Sequence, residues 1–456
     1  ANVASADSAL HKPSNIKEQL RYSRAVETVI WGIPIVNSDF MFQALAKAGG
    51  KSNQLVYWSG PSDWHNQTLI PNGDAIYFIP FVNTKDVGPV VLELPAAGSE
   101  GSIVGSYMDY WQMAIEDVGT AGIDKGKGGK YLVLPPNYKG IVPTGYIPLK
   151  SLTYQSYALL RSIPKSTSEK DTKAAVDYGK RIKLYPFSTI KNPLPTVMTD
   201  VKGKLFDATI KYDIRFFESL NNMLQIEPWL ERDKVMIEKL KTIGIEKGKS
   251  FAVNDTLKSM LGKAAKDGKI WLADFYETHY EPHFSDAHWF LPGDPILVKA
   301  MENSYADPNE YAIDSRGCAY YCAFTSVKHM GAGQFYLFSS RDNNGQPLEG
   351  SKNYVLHVPA NVPVKQYWSL TLYDFDTHAF IRDVSYPSRS SLNPAMKKNA
   401  DGSVDIYLSA KVPAGKEGNW IPTKEGRRFE GLFRFYGPEK PIFDKSWKLP
   451  DMEEIK

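Results

Sequence analysis

Cysteine is nearly absent: the 456-residue chain holds two, Cys318 and Cys322. So small a number excludes a disulfide framework as the source of stability. The pair lies four residues apart in a helical-looking segment, where a disulfide is geometrically awkward, so two buried thiols are expected. Two soft ligands alone do not make a zinc site. There is no unbroken apolar run of about 18 residues, so no membrane span is expected. Net charge is only +3, with no basic tract, so nucleic acid is not an expected partner. Nucleotide-cofactor fingerprints are missing. So is Gly-x-Ser-x-Gly, since neither Gly101-Ser102 nor Gly105-Ser106 forms that elbow.

Aromatic residues, by contrast, make up 12% of the chain, alongside 30 prolines and 34 glycines. That combination predicts β-sandwiches joined by many turns. The chain is too long for one compact core, so two or three domains are expected. It starts Ala1-Asn2-Val3-Ala4-Ser5-Ala6-Asp7, small and polar residues without Met. Such a start is what signal-peptide cleavage leaves, and a periplasmic or secreted protein is expected.

Residues 1–50 read as a helical lead, flexible to residue 13. Two helices follow, with Ser14 as a cap and Gly32-Ile33-Pro34 as the break between them. Residues 51–164 turn to short strands spaced by Gly, Pro and Asn. The strands are expected at 56–58, 75–82, 90–94, 103–113, 131–134 and 154–163, a sandwich-like all-β domain. Residues 165–330 space their apolar positions at three and four and read as a helical insert, closed by a helix near 310–329. Residues 331–456 form a last sandwich. Its clearest stretch is 334–374, where Phe335, Leu337, Tyr354, Leu356, Val358, Trp368, Leu370 and Leu372 alternate with polar or small neighbours. Further strands are expected at 404–408, 429–436 and 443–447. The fold class is mainly β with a helical insert.

Several blocks resemble known families. Ile70-Pro71-Asn72-Gly73-Asp74-Ala75-Ile76-Tyr77, the run Gly88 to Pro95, Ser106-Tyr107-Met108-Asp109 and Leu160-Arg161 resemble domain of unknown function 1254. Asp342 to Gly350, Tyr367 to Asp374, Asp401-Gly402-Ser403, Asn419-Trp420 and Arg434 to Pro438 resemble its usual partner, domain 1214. The resemblance implies an immunoglobulin-like sandwich, a helical domain and a jelly-roll-like sandwich, and no established chemistry. Ala75 departs from the pattern, where the family usually has Thr.

Three constellations carry chemistry. Asn72, Asp74 and Tyr77 with Tyr107 and Asp109 come from neighbouring strand regions. Asp74 and Asp109, about 5–10 Å apart, would serve as acid and base on a glycosidic bond, or share a hard cation such as calcium. Local turn bonding of Asn72 and Asp74 is the simpler alternative. His279, His283 and His288 lie among acidic and aromatic residues. The first two have the four-residue spacing of zinc ligands, interrupted by Pro282. Arg434 and Tyr436 with Trp368, Asp374 and Trp420 would clamp an anion against an aromatic wall, or pair Arg434 with Asp374 inside the sandwich. Trp111 joins the aromatic candidates for ligand contact.

The leading expectation is a small-molecule or glycan binder, with an aromatic cleft between the two β-domains. Its walls would be Asn72–Tyr77 and Trp368–Asp374. A metal-assisted or carboxylate hydrolase and a homo-oligomeric assembly protein are the alternatives.

Overall fold

The computed structural model describes residues 13–323, 327–329 and 333–456. The expected flexible lead falls almost wholly outside them. One helix, Ile16–Lys47, runs through the middle of the molecule. Its start is fixed by Asn15, whose Oδ1 accepts from the Glu18 amide at 3.1 Å, while the Glu18 carboxylate accepts from the Ser14 amide. The expected break at Gly32-Ile33-Pro34 does not occur. Proline removes one helical hydrogen bond and frees the carbonyl four residues earlier, that of Ile30. Gly317, on the helix Ile313–Cys322, packs against that carbonyl, where a Cβ would lie 2.6 Å from the oxygen. Gly268, on the helix Asp255–Thr278, packs as closely on Val29. The proline is therefore tolerated because distant glycines close on the helix around it.

This core helix is also long and apolar enough to cross a membrane by length and composition. However, 83% of its apolar window is buried inside the protein, which makes it the centre of the helical domain. The helices Ile214–Ile226, Lys234–Leu240, Asp255–Thr278 and Ile313–Cys322 all pack on it. The last is shorter than the 310–329 expected, and residues 324–326 lie outside the described set. Cys318 and Cys322 are buried free thiols, as expected.

The first β-domain pairs a six-stranded sheet with a four-stranded one. In the six-stranded sheet, Ile76–Asn83 and Ile103–Asp109 both run antiparallel to Gln155–Ser162. Strands Lys183–Pro186 and Met198–Asp200 complete the two sheets, so this sandwich extends past residue 164. Its core holds Phe78, Leu92, Tyr107, Tyr131 and Leu160.

The C-terminal domain is a sandwich of two four-stranded sheets. Gln334–Ser339 and Val364–Asp374 flank the long strand Phe429–Pro438, while Asn353–Val358 crosses to the opposite sheet. The stretch 334–374 thus supplies both layers. The strand expected at 443–447 does not form: the short helix Lys440–Phe443 ends there and residues 444–447 follow as turn and bend.

Glu227, just past the helix Ile214–Ile226, ties the helical domain to the first sandwich. Its carboxylate accepts from the amides of Tyr154 and Gln155 at 2.6 and 2.9 Å. Burial nevertheless outweighs these bonds and pushes its pKa up to about 7. A raised acid pKa means that the folded state holds a proton the unfolded chain has already lost. Stability from this group is full at acid pH and falls as pH rises from the ordinary glutamate range through about 7. Urea unfolding at pH 5 and pH 8 should show a loss of about 2.5 kcal/mol from this group, and Glu227→Gln should remove most of that difference.

Candidate functional site

Opposite residues in a sheet share a face, so the register of the C-terminal sheet sorts its side chains. Tyr336 and Ser369 lie opposite Arg434, Tyr367 opposite Tyr436, and Tyr373 opposite Glu430. These residues form the outer face. Trp368, Leu370, Leu372, Phe433 and Phe435 point inward and build the sandwich core.

The loop Ile70–Ala75 of the first β-domain lies on this outer face. Asn72 organises it. Its Oδ1 accepts from the Asp74 amide at 2.8 Å, its amide donates to Tyr77 OH at 2.7 Å, and its Nδ2 donates to Tyr436 OH at 2.6 Å. Tyr373 OH donates to the Pro71 carbonyl at 2.7 Å. Arg434, 3% exposed, donates to Thr371 Oγ1, to Tyr373 OH and, across the domain boundary, to the Ile70 carbonyl at 3.3 Å. Ile70 has a φ of +37°, a strained backbone for a β-branched residue. Its amide donates to the carbonyl of His378, itself at φ +56°.

Around this junction stand two arginines and one aspartate, none of them ion-paired among the described residues. Arg161 lies opposite Tyr77 on the neighbouring strand, with its guanidinium 5.8 Å from the Tyr77 ring centre. Burial works against its charge, yet the hydroxyls of Tyr77, Tyr336 and Tyr436 leave its pKa above the ordinary value. Arg434 is shifted the same way, with burial opposed by the hydroxyls of Tyr373, Tyr436, Tyr336 and Tyr77. Asp74 is half-buried, and its carboxylate accepts no hydrogen bond among the described residues. Burial raises its pKa and the nearby Arg434 only partly offsets this. Tyr367 stacks on Tyr436 at 4.0 Å and 14°. Arg161, Tyr336 and Tyr367 remain half-buried, so the junction keeps an accessible side.

The structure brings together Asn72, Asp74, Tyr77 and Arg434, which the sequence reading had placed in two separate constellations, and sets the other candidates apart from them. Asp109 cannot partner Asp74. The two strands lie on either side of Gln155–Ser162, with Ile76 opposite Ser162 and Asp109 opposite Ser156. The carboxylates therefore sit at opposite ends of that strand, about 20 Å apart at strand rise. Asp109 is fully buried, accepts from the Met113 amide and lies beside Arg232 and Arg316. Trp111 is buried against Trp31, and its carbonyl accepts from Arg316. Tyr107 sits in the first sandwich core, hydrogen-bonded to Ser156. Trp368 faces the other core and stacks on Phe433. Trp420 donates to the Ser409 carbonyl, in the far sheet. Asp374 forms a two-pronged pair with Arg427 at 2.7 and 2.8 Å, not with Arg434.

The three histidines do not converge. His279 pairs with Asp294, His283 with the Ile442 carbonyl and His288 with Asp451. The helix ends at Thr278, so His279 and His283 never share a helical face. Among the described residues no group of three or more His, Cys, Asp or Glu could hold a metal ion. The zinc or calcium expectation therefore has no donor set at these positions. Arg161, Tyr336 and Tyr367 were missed as site residues. Strand alternation carried the signal for Tyr367: it is in phase with Tyr373 and out of phase with Trp368.

Comparison with known proteins fits this architecture. Residues 52–186 match a model described as protein of unknown function (DUF1254). Residues 333–440 match protein of unknown function (DUF1214). The VPA0106 protein from Vibrio parahaemolyticus is similar in structure, with a TM-score of 0.57 and 20% identity, over 96% of this chain and 100% of that one. A putative uncharacterized protein from Burkholderia cenocepacia aligns at a TM-score of 0.43 and 13% identity, over 96% and 94%. No curated protein matches the chain.

Arg434→Lys keeps the charge but cannot reach three acceptors from one planar group. It should cost about 2–3 kcal/mol in urea unfolding, because the buried Thr371 and Tyr373 and the part-buried Ile70 carbonyl lose a charged donor. A change below about 0.5 kcal/mol would mean that Arg434 does not hold the junction.

Proposed function

The chain belongs to the two-domain family that joins DUF1254 to DUF1214, and for this member we propose a binding function at the junction of its two β-domains. The ligand is a small anionic molecule with an aromatic or hydroxyl-bearing body, acidic sugars included. One observation carries this reading: two guanidinium groups and a single carboxylate meet at the junction, none of them ion-paired among the described residues. The local balance is cationic, which suits a carboxylate, sulfate or phosphate on the ligand. Tyr77, Tyr336, Tyr367 and Tyr436 supply flat faces and hydroxyls for the rest of the molecule. Asp74 is free to accept from a ligand hydroxyl.

Calorimetry on the whole chain tests this with benzoate, glucuronate and glucose 6-phosphate, each set against a neutral analogue. At least one anion should bind, and its neutral analogue should bind tenfold or more weakly, about 1.4 kcal/mol. Arg161→Gln should weaken that anion by a similar factor while leaving the melting midpoint nearly unchanged. Binding of neutral analogues alone, or anion binding indifferent to Arg161→Gln, would contradict the reading.

A further inference from the structure

The two layers of the C-terminal sandwich stay open at one end. A cavity of about 360 Å³ lies there. Val364 and Trp368 line it from one sheet. Val358 and Val404, paired opposite each other, line it from the other sheet, and Met396 lines it from a loop. All five belong to the apolar core of this sandwich or pack against it. Protein interiors leave few voids larger than a water molecule. This opening is instead of the size that small ligands fill.

The walls of the cavity are held in place. Trp447 Nε1 donates to the Ala360 carbonyl at 3.1 Å and anchors the turn 359–363. Ser391 is tied to Trp368 twice: its amide donates to the Trp368 carbonyl, and its Oγ accepts from the Trp368 amide at 3.1 Å. Asn419 accepts from the Lys397 amide at 2.8 Å and donates to the Lys397 carbonyl at 2.9 Å. The next residue, Lys398, stands at the mouth, exposed to solvent. Its ammonium has no hydrogen-bond or ion-pair partner among the described residues. Asp401 is the carboxylate of the lining, and it is bound to its own turn. Its Oδ1 accepts from the Ser403 amide at 2.9 Å and from the Ser403 hydroxyl at 2.5 Å. The charge left unsatisfied at the mouth is therefore the cation. Trp368, 5% exposed, stacks on Phe433, and its indole N–H donates to none of the described residues.

We propose that this cavity binds a medium-chain aliphatic carboxylate, with its chain between the two sheets and its carboxylate at Lys398. The interior offers valine methyl groups and a thioether, which give contact without a fixed hydrogen-bond pattern and suit a plain alkyl chain. Met396 adapts to the shape of that chain. The mouth offers a point charge on a flexible stem, which suits an anionic head that stays near water. The cavity and the binding junction lie on opposite faces of one sheet. Tyr367 belongs to the junction face, and Trp368, the next residue on the strand, belongs to the cavity. The two sites share no residue, so either can fail alone.

Calorimetry on the full chain with hexanoate, octanoate and octylamine is the test. Octanoate should bind at one site. Hexanoate should bind about tenfold more weakly, because it buries two fewer methylenes. Octylamine, with the same chain and the opposite charge, should bind at least about tenfold more weakly as well. Lys398→Glu should weaken octanoate about tenfold or more and leave the melting midpoint unchanged, since Lys398 is exposed. Val362→Trp, at the half-buried rim, should abolish octanoate binding by filling the mouth. Arg161→Gln, at the junction, should leave octanoate untouched. No octanoate binding, an affinity indifferent to chain length or to Lys398→Glu, or octylamine binding as tightly as octanoate overturns the proposal. Should Val362→Trp fail to fold, a diazirine-bearing octanoate gives the answer on the wild type. Mass spectrometry should place the label on Met396 or on the turn 359–363, and labels confined to other segments overturn the proposal equally.

Discussion

Arg434 is the interaction on which the arrangement of this molecule turns. A guanidinium buried in a sheet needs acceptors for its donors, or it costs several kcal/mol. Two of its acceptors, Thr371 and Tyr373, come from the neighbouring strand, and the third is a backbone carbonyl of the other β-domain. The pairing of the two sandwiches is thus part of how this charge is accommodated. The same requirement bends the chain at Ile70, whose strained backbone is stabilised by contacts on both sides. It also delivers Asn72 and Asp74 to a face lined with tyrosines.

The core helix plays the matching role for the remainder. The largest apolar cluster joins Val29 and Ile33 of that helix to Val56 and Tyr157 of the first sandwich, and to Phe338 and Leu432 of the second. A core shared this widely makes the three units one cooperative body.

Much of this was legible from the chain. Val90–Leu94 and Gln155–Ser162 read as strands because apolar runs of that length, bounded by turn residues, have few alternatives. Asn72 and Arg434 were legible as candidates through their motifs. What failed was whatever depended on register. Arg434 lies opposite Ser369 and Asp374 opposite Phe429, so the two stand five ladder positions apart, and no local pattern reveals that offset. The buried pairing of His378 with Glu430 was invisible for the same reason. Pro34 was misread because its tolerance depends on Gly317, a contact that no helix propensity contains.

The central claim is that the two β-domains are joined through Asn72 and the tyrosine-lined sheet face. The direct measurement is a double-mutant cycle in urea unfolding, with Asn72→Ala and Tyr436→Phe singly and together. The 2.6 Å bond between them predicts a coupling of about 1 kcal/mol or more. Additive effects, with coupling near zero, would show that the loop and the sheet face fold independently and would contradict the account.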